Sequence, residues 1–141
     1  MYVDDLETAT PFASGPHVRA IGWLSAAHDY PRGEVAHDII EKLGQFVMLW
    51  QQSTVELRWK VASHPHTCEL CNEHSTVGTF GVPGAHVIYV VPTMITHYIV
   101  GHDYKPPAEF REALMFSPLP GTVRYEAICT PYRREVRDPW D

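Results

Sequence analysis

Two thiols two residues apart, in His66-Thr67-Cys68-Glu69-Leu70-Cys71, are followed by two imidazoles four residues apart, in His97-Tyr98-Ile99-Val100-Gly101-His102. Between Cys71 and His97 lie 25 residues. Thiolate and neutral imidazole at these spacings are the donors of a tetrahedral zinc site, which takes four ligands and leaves no open position. A chain built around such a site must fold so that the two stretches meet. No other feature of the sequence constrains the fold as strongly.

The local chemistry of each stretch supports the pairing. A Cys-x-x-Cys turn points both sulfurs to one side while Glu69 and Leu70 cross its tip, and the residue that follows often needs a positive φ. Asn72 stands there, and asparagine tolerates that conformation better than most residues. The imidazoles are harder to reconcile, because residues five apart on a regular α-helix differ in direction by about 140°. Gly101, just before His102, is expected to let the helix tighten or end and swing His102 back. His66 competes for the fourth place but would have to fold over its own thiol turn. The expected zinc ligands are therefore Cys68, Cys71, His97 and His102. His64 and His74 are expected at the surface or behind the ligands, and Cys129 as an inert core thiol.

The order of thiol turn, hairpin and histidine-bearing helix resembles the two-cysteine, two-histidine zinc fingers, though with 25 residues between the second Cys and the first His against about twelve in those fingers. Met94 to Val100 holds no Lys or Arg to meet phosphates or bases, so DNA reading does not carry over. Gly22-Trp23-Leu24, Tyr30-Pro31-Arg32-Gly33, the two metal-type stretches and Asp103-Tyr104-Lys105-Pro106-Pro107 together resemble a family of bacterial proteins of unassigned function. That similarity runs over most of residues 1–115 and implies a bacterial, cytoplasmic origin.

Around this centre the sequence predicts a small α+β fold. Residues 1–16 form an arm with one short strand, and 17–24 a strand in which Trp23 anchors the core. Ala36, Ile39, Ile40, Leu43, Phe46, Val47 and Trp50 recur at intervals of three and four, which predicts an amphipathic helix over 34–51, with Asp38 four residues before Lys42. Alternation over 54–62 predicts a half-buried strand leading into the cysteine turn. A hairpin of 76–80 and 85–91 follows, turning at Val82-Pro83-Gly84-Ala85 in a type II turn. A short helix starting at Pro92 carries His97, and a second runs from Pro107 to a stop before Pro118. Residues 123–129 are expected as an edge strand and 133–141 as a mobile tail. The expected organisation is one zinc-binding domain over 1–116 and a partly extended C-terminal extension over 117–141.

With 141 residues, 45% of them hydrophobic, the chain can bury a real core, so the metal organises part of the fold rather than replacing it. A net charge of −6 opposes broad binding to nucleic acid or an anionic membrane. Three cysteines, an odd number, speak for a reducing compartment over a disulfide framework. The acidic start lacks a signal peptide's apolar run, and the longest apolar stretch is too short to span a bilayer. A cytoplasmic protein without a membrane segment is expected. No phosphate-binding loop, Gly-x-Ser-x-Gly elbow or His-Glu-x-x-His helix occurs. A thioredoxin-like dithiol is opposed by the absence of a βαβ pattern around the cysteines. The expected function is thus a structural zinc domain, a non-enzymatic module that binds another protein or regulates. The alternative is a metal-dependent hydrolase or nuclease, which needs an open zinc position. The oligomeric state is not legible in the sequence.

Overall fold

The computed structural model describes residues 2–10, 13–52 and 65–132. It is an α+β fold whose centre is a three-stranded sheet in the order β3 (Val18–Ala20), β7 (Ile88–Pro92), β6 (Thr79–Pro83). β6 and β7 form an antiparallel hairpin, whereas β3 runs parallel to β7, with Val18 opposite Ile88. All ten residues of β6 and β7 are buried, because the sheet is covered on both faces. The expected strand over 17–24 is shorter, since Gly22, at φ +78°, turns the chain out of the ladder. Trp23 is buried as expected, and its indole N–H donates to the Val90 carbonyl at 3.0 Å.

The N-terminal arm is docked. Its short hairpin, β1 (Ala9–Thr10) with β2 (Ala13–Ser14), precedes β3. Leu6 N–H and the Glu7 carbonyl bond the Ala20 backbone, and Val3 N–H donates to the Trp23 carbonyl. Asp5 holds the arm down from within. It accepts from Gly22 N–H at 3.0 Å and from the Tyr104 hydroxyl at 2.8 Å.

The periodic stretch is α1 (His37–Gln52), which buries Ile39, Leu43, Phe46 and Trp50 at the three- and four-residue steps of one helical face. Lys42 turns from Asp38 toward the next layer: its ammonium donates to the Met115 and Ser117 carbonyls at 3.0 and 2.7 Å, closing the end of α3 (Ala108–Phe116). Trp50 lies so close to Gly78, at φ +119°, that a Cβ there would stand 2.3 Å from the indole. The expected strand over 54–62 lies outside the described residues.

Two expected boundaries move. The β6–β7 turn is not centred on Pro83-Gly84. Pro83 stays in the ladder opposite Ile88, which it can do because β6 is an edge strand of this sheet, and the chain reverses over residues 84–87 with His86 at φ +62°. Pro92 likewise ends β7 and does not open a helix; α2 (Ile95–His102) begins three residues later.

The largest difference lies at the C-terminus, where 123–129 is no edge strand but α4 (Val123–Cys129), followed by a 3₁₀ turn at Thr130–Tyr132. Thr122 caps the helix by accepting from Tyr125 N–H, and the four-residue step from Tyr125 to Cys129 puts both on one buried face. The Tyr125 hydroxyl donates to the Gly81 carbonyl, so α4 covers β6. The tail 133–141 lies outside the described residues. Among the described residues no helix is long and apolar enough to cross a membrane.

Candidate metal centre

Both halves of the site are built from short local structure. β4 (His66–Thr67) and β5 (Ser75–Thr76) pair antiparallel, His66 opposite Thr76, and hold the cysteine turn between them. Cys68 N–H donates to the His74 carbonyl at 2.8 Å, and Asn72 N–H to the Cys68 carbonyl at 2.7 Å. Asn72 takes the left-handed conformation, at φ +58°, as expected for the residue that closes such a turn. Cys68 is fully buried and Cys71 half-buried.

α2 supplies the imidazoles. Ile95, Tyr98 and Ile99 fix it to the core, which leaves His97 and His102 on the flank that faces the cysteine turn. Asp103, at φ +57°, ends the helix, and its N–H donates to the Tyr98 carbonyl five residues back. Tyr104 N–H bonds the same carbonyl. The last turn is therefore opened, not tightened, which brings residues five apart nearer to one face. Gly101 serves differently from expectation: it stays helical, and a Cβ on it would stand 3.3 Å from Cε1 of His97 and 3.5 Å from Nδ1. The missing side chain makes room for the His97 ring to lean toward His102.

The four ligand atoms converge to within 4.8 Å of one another. Nε2 of His97 and Nε2 of His102 lie 3.1 Å apart, Cys68 Sγ is 3.5 Å from His102 Nε2, and Cys71 Sγ is 3.4 Å from His97 Nε2. Around a zinc ion with ordinary bond lengths, tetrahedral edges are about 3.3 Å for N···N and about 3.6 Å for S···N. The observed edges fit that cage, so the cluster is able to hold a metal ion.

Electrostatics act in opposite directions on the two kinds of donor. Burial pushes the Cys68 thiol up, opposed by the backbone N–H groups of Cys71 and Leu70, which favour the thiolate. Burial lowers His97, aided by the neighbouring His74 and His102, and so keeps the imidazole neutral as ligation requires. The negative end of the α2 dipole also favours a cation there. A divalent ion with two thiolates and two neutral imidazoles carries no net charge.

His66 is not among the converging groups; it sits in the β4 ladder, half-buried, with burial lowering its pKa. His64 lies outside the described residues. Cys129 is a fully buried thiol of α4, in no disulfide. His74 stacks flat on His97, with centroids 4.3 Å apart and an interplanar angle of 8°. This is the surface place behind the ligands expected of His74, but the residue types gave no sign of the stacking. Only the hairpin register, which sets the His74 carbonyl on the Cys68 amide, could have located it.

A family model described as a domain of unknown function, DUF7919, matches residues 1–115. The chain belongs to that family. The DUF7919 span contains all four converging residues, whereas α4 lies beyond it. No curated protein and no solved structure matches this DUF7919 chain.

Proposed function

We propose that Cys68, Cys71, His97 and His102 bind one structural zinc ion, and that the protein is a non-enzymatic module acting through contacts with another protein. The observation that carries this reading is the match between the interatomic edges of the cluster and those of a tetrahedral zinc cage. The ion locks the β4–β5 turn, held otherwise by two two-residue strands, to α2, which Ile95, Tyr98 and Ile99 already fix in the core. Four protein donors leave no coordination place for a water or substrate, which disfavours the hydrolase alternative. Three cysteines, none of them in a disulfide, suit a reducing cytoplasm.

Elemental analysis of protein purified without added metal is expected to give one zinc per chain, and X-ray absorption to give two sulfur and two nitrogen neighbours. Metal content near zero with freely reactive thiols overturns the site. A zinc-bound water overturns the structural assignment and reopens the hydrolase. Cys68→Ser is expected to release the metal and lower the melting temperature of metal-loaded protein far more than Cys129→Ser, which places a hydroxyl in a buried site at a cost of about 1–3 kcal/mol. Equal, small shifts would mean that the cysteine pair holds no metal.

A further inference from the structure

The χ2 torsion of a histidine is broad, so rotamer preference alone does not decide where Nε2 of His97 points. Nε2 of His97 meets Cys71 Sγ at 3.4 Å and His102 Nε2 at 3.1 Å, both within the cluster itself, and His97 lies only partly in the core. Two contacts along the rest of the ring add to that aim. His74 covers the ring face to face at 4.3 Å and 8°. The bare Cα of Gly101 lets the ring sit close along its Cε1–Nδ1 edge, where a Cβ would be only 3.3 Å away.

His74 is itself held in place, because its carbonyl accepts from Cys68 N–H at 2.8 Å across the β4–β5 loop. The backbone that aims the first thiol thus also carries the ring that aims the first imidazole. His74 is not one of the converging ligands. Its side chain is exposed, and so adds little to the core.

We propose that His74 is a positioning residue for the metal centre: its ring, stacked on His97, holds Nε2 in the direction that ligation requires and so slows release of the ion. This rests on the zinc reading above and extends it to a residue outside the ligand set. The action is through the flat ring, with no part for a fifth bond. An aromatic ring without nitrogen should serve nearly as well, and a side chain without a ring should not.

The experiment compares wild-type full-length protein with His74→Ala, His74→Gln and His74→Phe, each loaded with zinc and mixed with excess chelator. In parallel, cobalt-loaded samples report ligand geometry through their visible bands. Zinc release is expected to be roughly two- to tenfold faster in His74→Ala and His74→Gln, the range that one lost ring–ring contact supplies, and near the wild-type rate in His74→Phe. The cobalt bands should change in the first two variants and return in the third, while melting of the metal-free proteins stays unchanged. Release from both ringless variants at the wild-type rate, with wild-type protein binding zinc normally, overturns this inference alone. Release from His74→Phe as fast as from His74→Ala overturns the stacking mechanism. Failure of the wild-type protein to bind zinc overturns the metal reading and this inference with it.

Discussion

Gly101 shows how one missing methyl group can serve two opposed ends. In an exposed helix interior alanine is favoured over glycine by about 0.8–1.0 kcal/mol, and part of that preference acts at Gly101, which is exposed and next to last in α2. A Cβ there would stand 3.3 Å from Cε1 of His97, closer than most carbon contacts, so the ring would have to give way. The two effects separate by metal state. Gly101→Ala is expected to hold or raise the melting temperature of metal-free protein by the helix term, while zinc affinity falls because Nε2 of His97 leaves its 3.1 Å separation from His102. Calorimetry with and without metal, joined to a chelator competition, checks both signs. Unchanged affinity would mean that the ring has slack the structure does not suggest.

At the scale of elements, α4 and β6 are joined by a buried hydrogen bond and by packing. The Tyr125 hydroxyl donates to the Gly81 carbonyl at 2.6 Å, and its ring lies edge-on to Phe46 of α1 at 6.2 Å. Tyr125→Phe keeps the ring and removes the bond, leaving a buried carbonyl of the edge strand short of a donor. The expected cost is about 1–3 kcal/mol, read from denaturant melts as a lower midpoint with an unchanged slope. A stability equal to the wild type would show that water replaces the hydroxyl. The edge strand admits Pro83 because it needs no donor on that side, and α4 then covers what would otherwise be an exposed edge.

Across the whole molecule, Asp5 ties the first residues to the segment that ends α2. Its carboxylate takes Gly22 N–H and the hydroxyl of fully buried Tyr104, while Tyr30, edge-on to Tyr104, donates its own hydroxyl to the His102 carbonyl at 2.8 Å. Burial raises the Asp5 pKa, and the bonds from Gly22 and Tyr104 offset only part of that shift. A carboxyl whose folded pKa lies above its unfolded value binds more protons in the fold. Its stabilising contribution is complete below the unfolded pKa and is lost as pH rises through the folded one. Asp5→Asn, nearly isosteric and uncharged, removes that dependence. The wild type is therefore expected to lose stability relative to Asp5→Asn as pH rises from the ordinary carboxylate range through mildly acidic values, with a constant difference beyond. Melts of both proteins across that range test it, and parallel curves would refute the linkage.

What could be read along the chain was whatever depends on near neighbours. The three- and four-residue steps from Ile39 to Trp50 place α1, because one helical face recurs on that interval in any context. The Cys-x-x-Cys turn with Asn72 behind it, and the grouping of His97 with His102 on one element, are likewise local. The contrasts are all long-range. Residues 123–129 are β-branched and aromatic enough to suggest a strand, yet Thr122 caps them as a helix and Gly81, 44 residues away from Tyr125, anchors it. The ladder opposite Ile88 retains Pro83, and no pattern around Pro83 reveals that β6 is an edge. Gly101 was visible, but its use depends on where the His97 ring goes, and that is set by His74 across a hairpin whose register only the folded chain establishes. Spacing along the sequence decides which donors can share one ion, because covalent geometry limits their reach; the directions in which those donors point are decided by packing, which joins residues that the sequence leaves far apart.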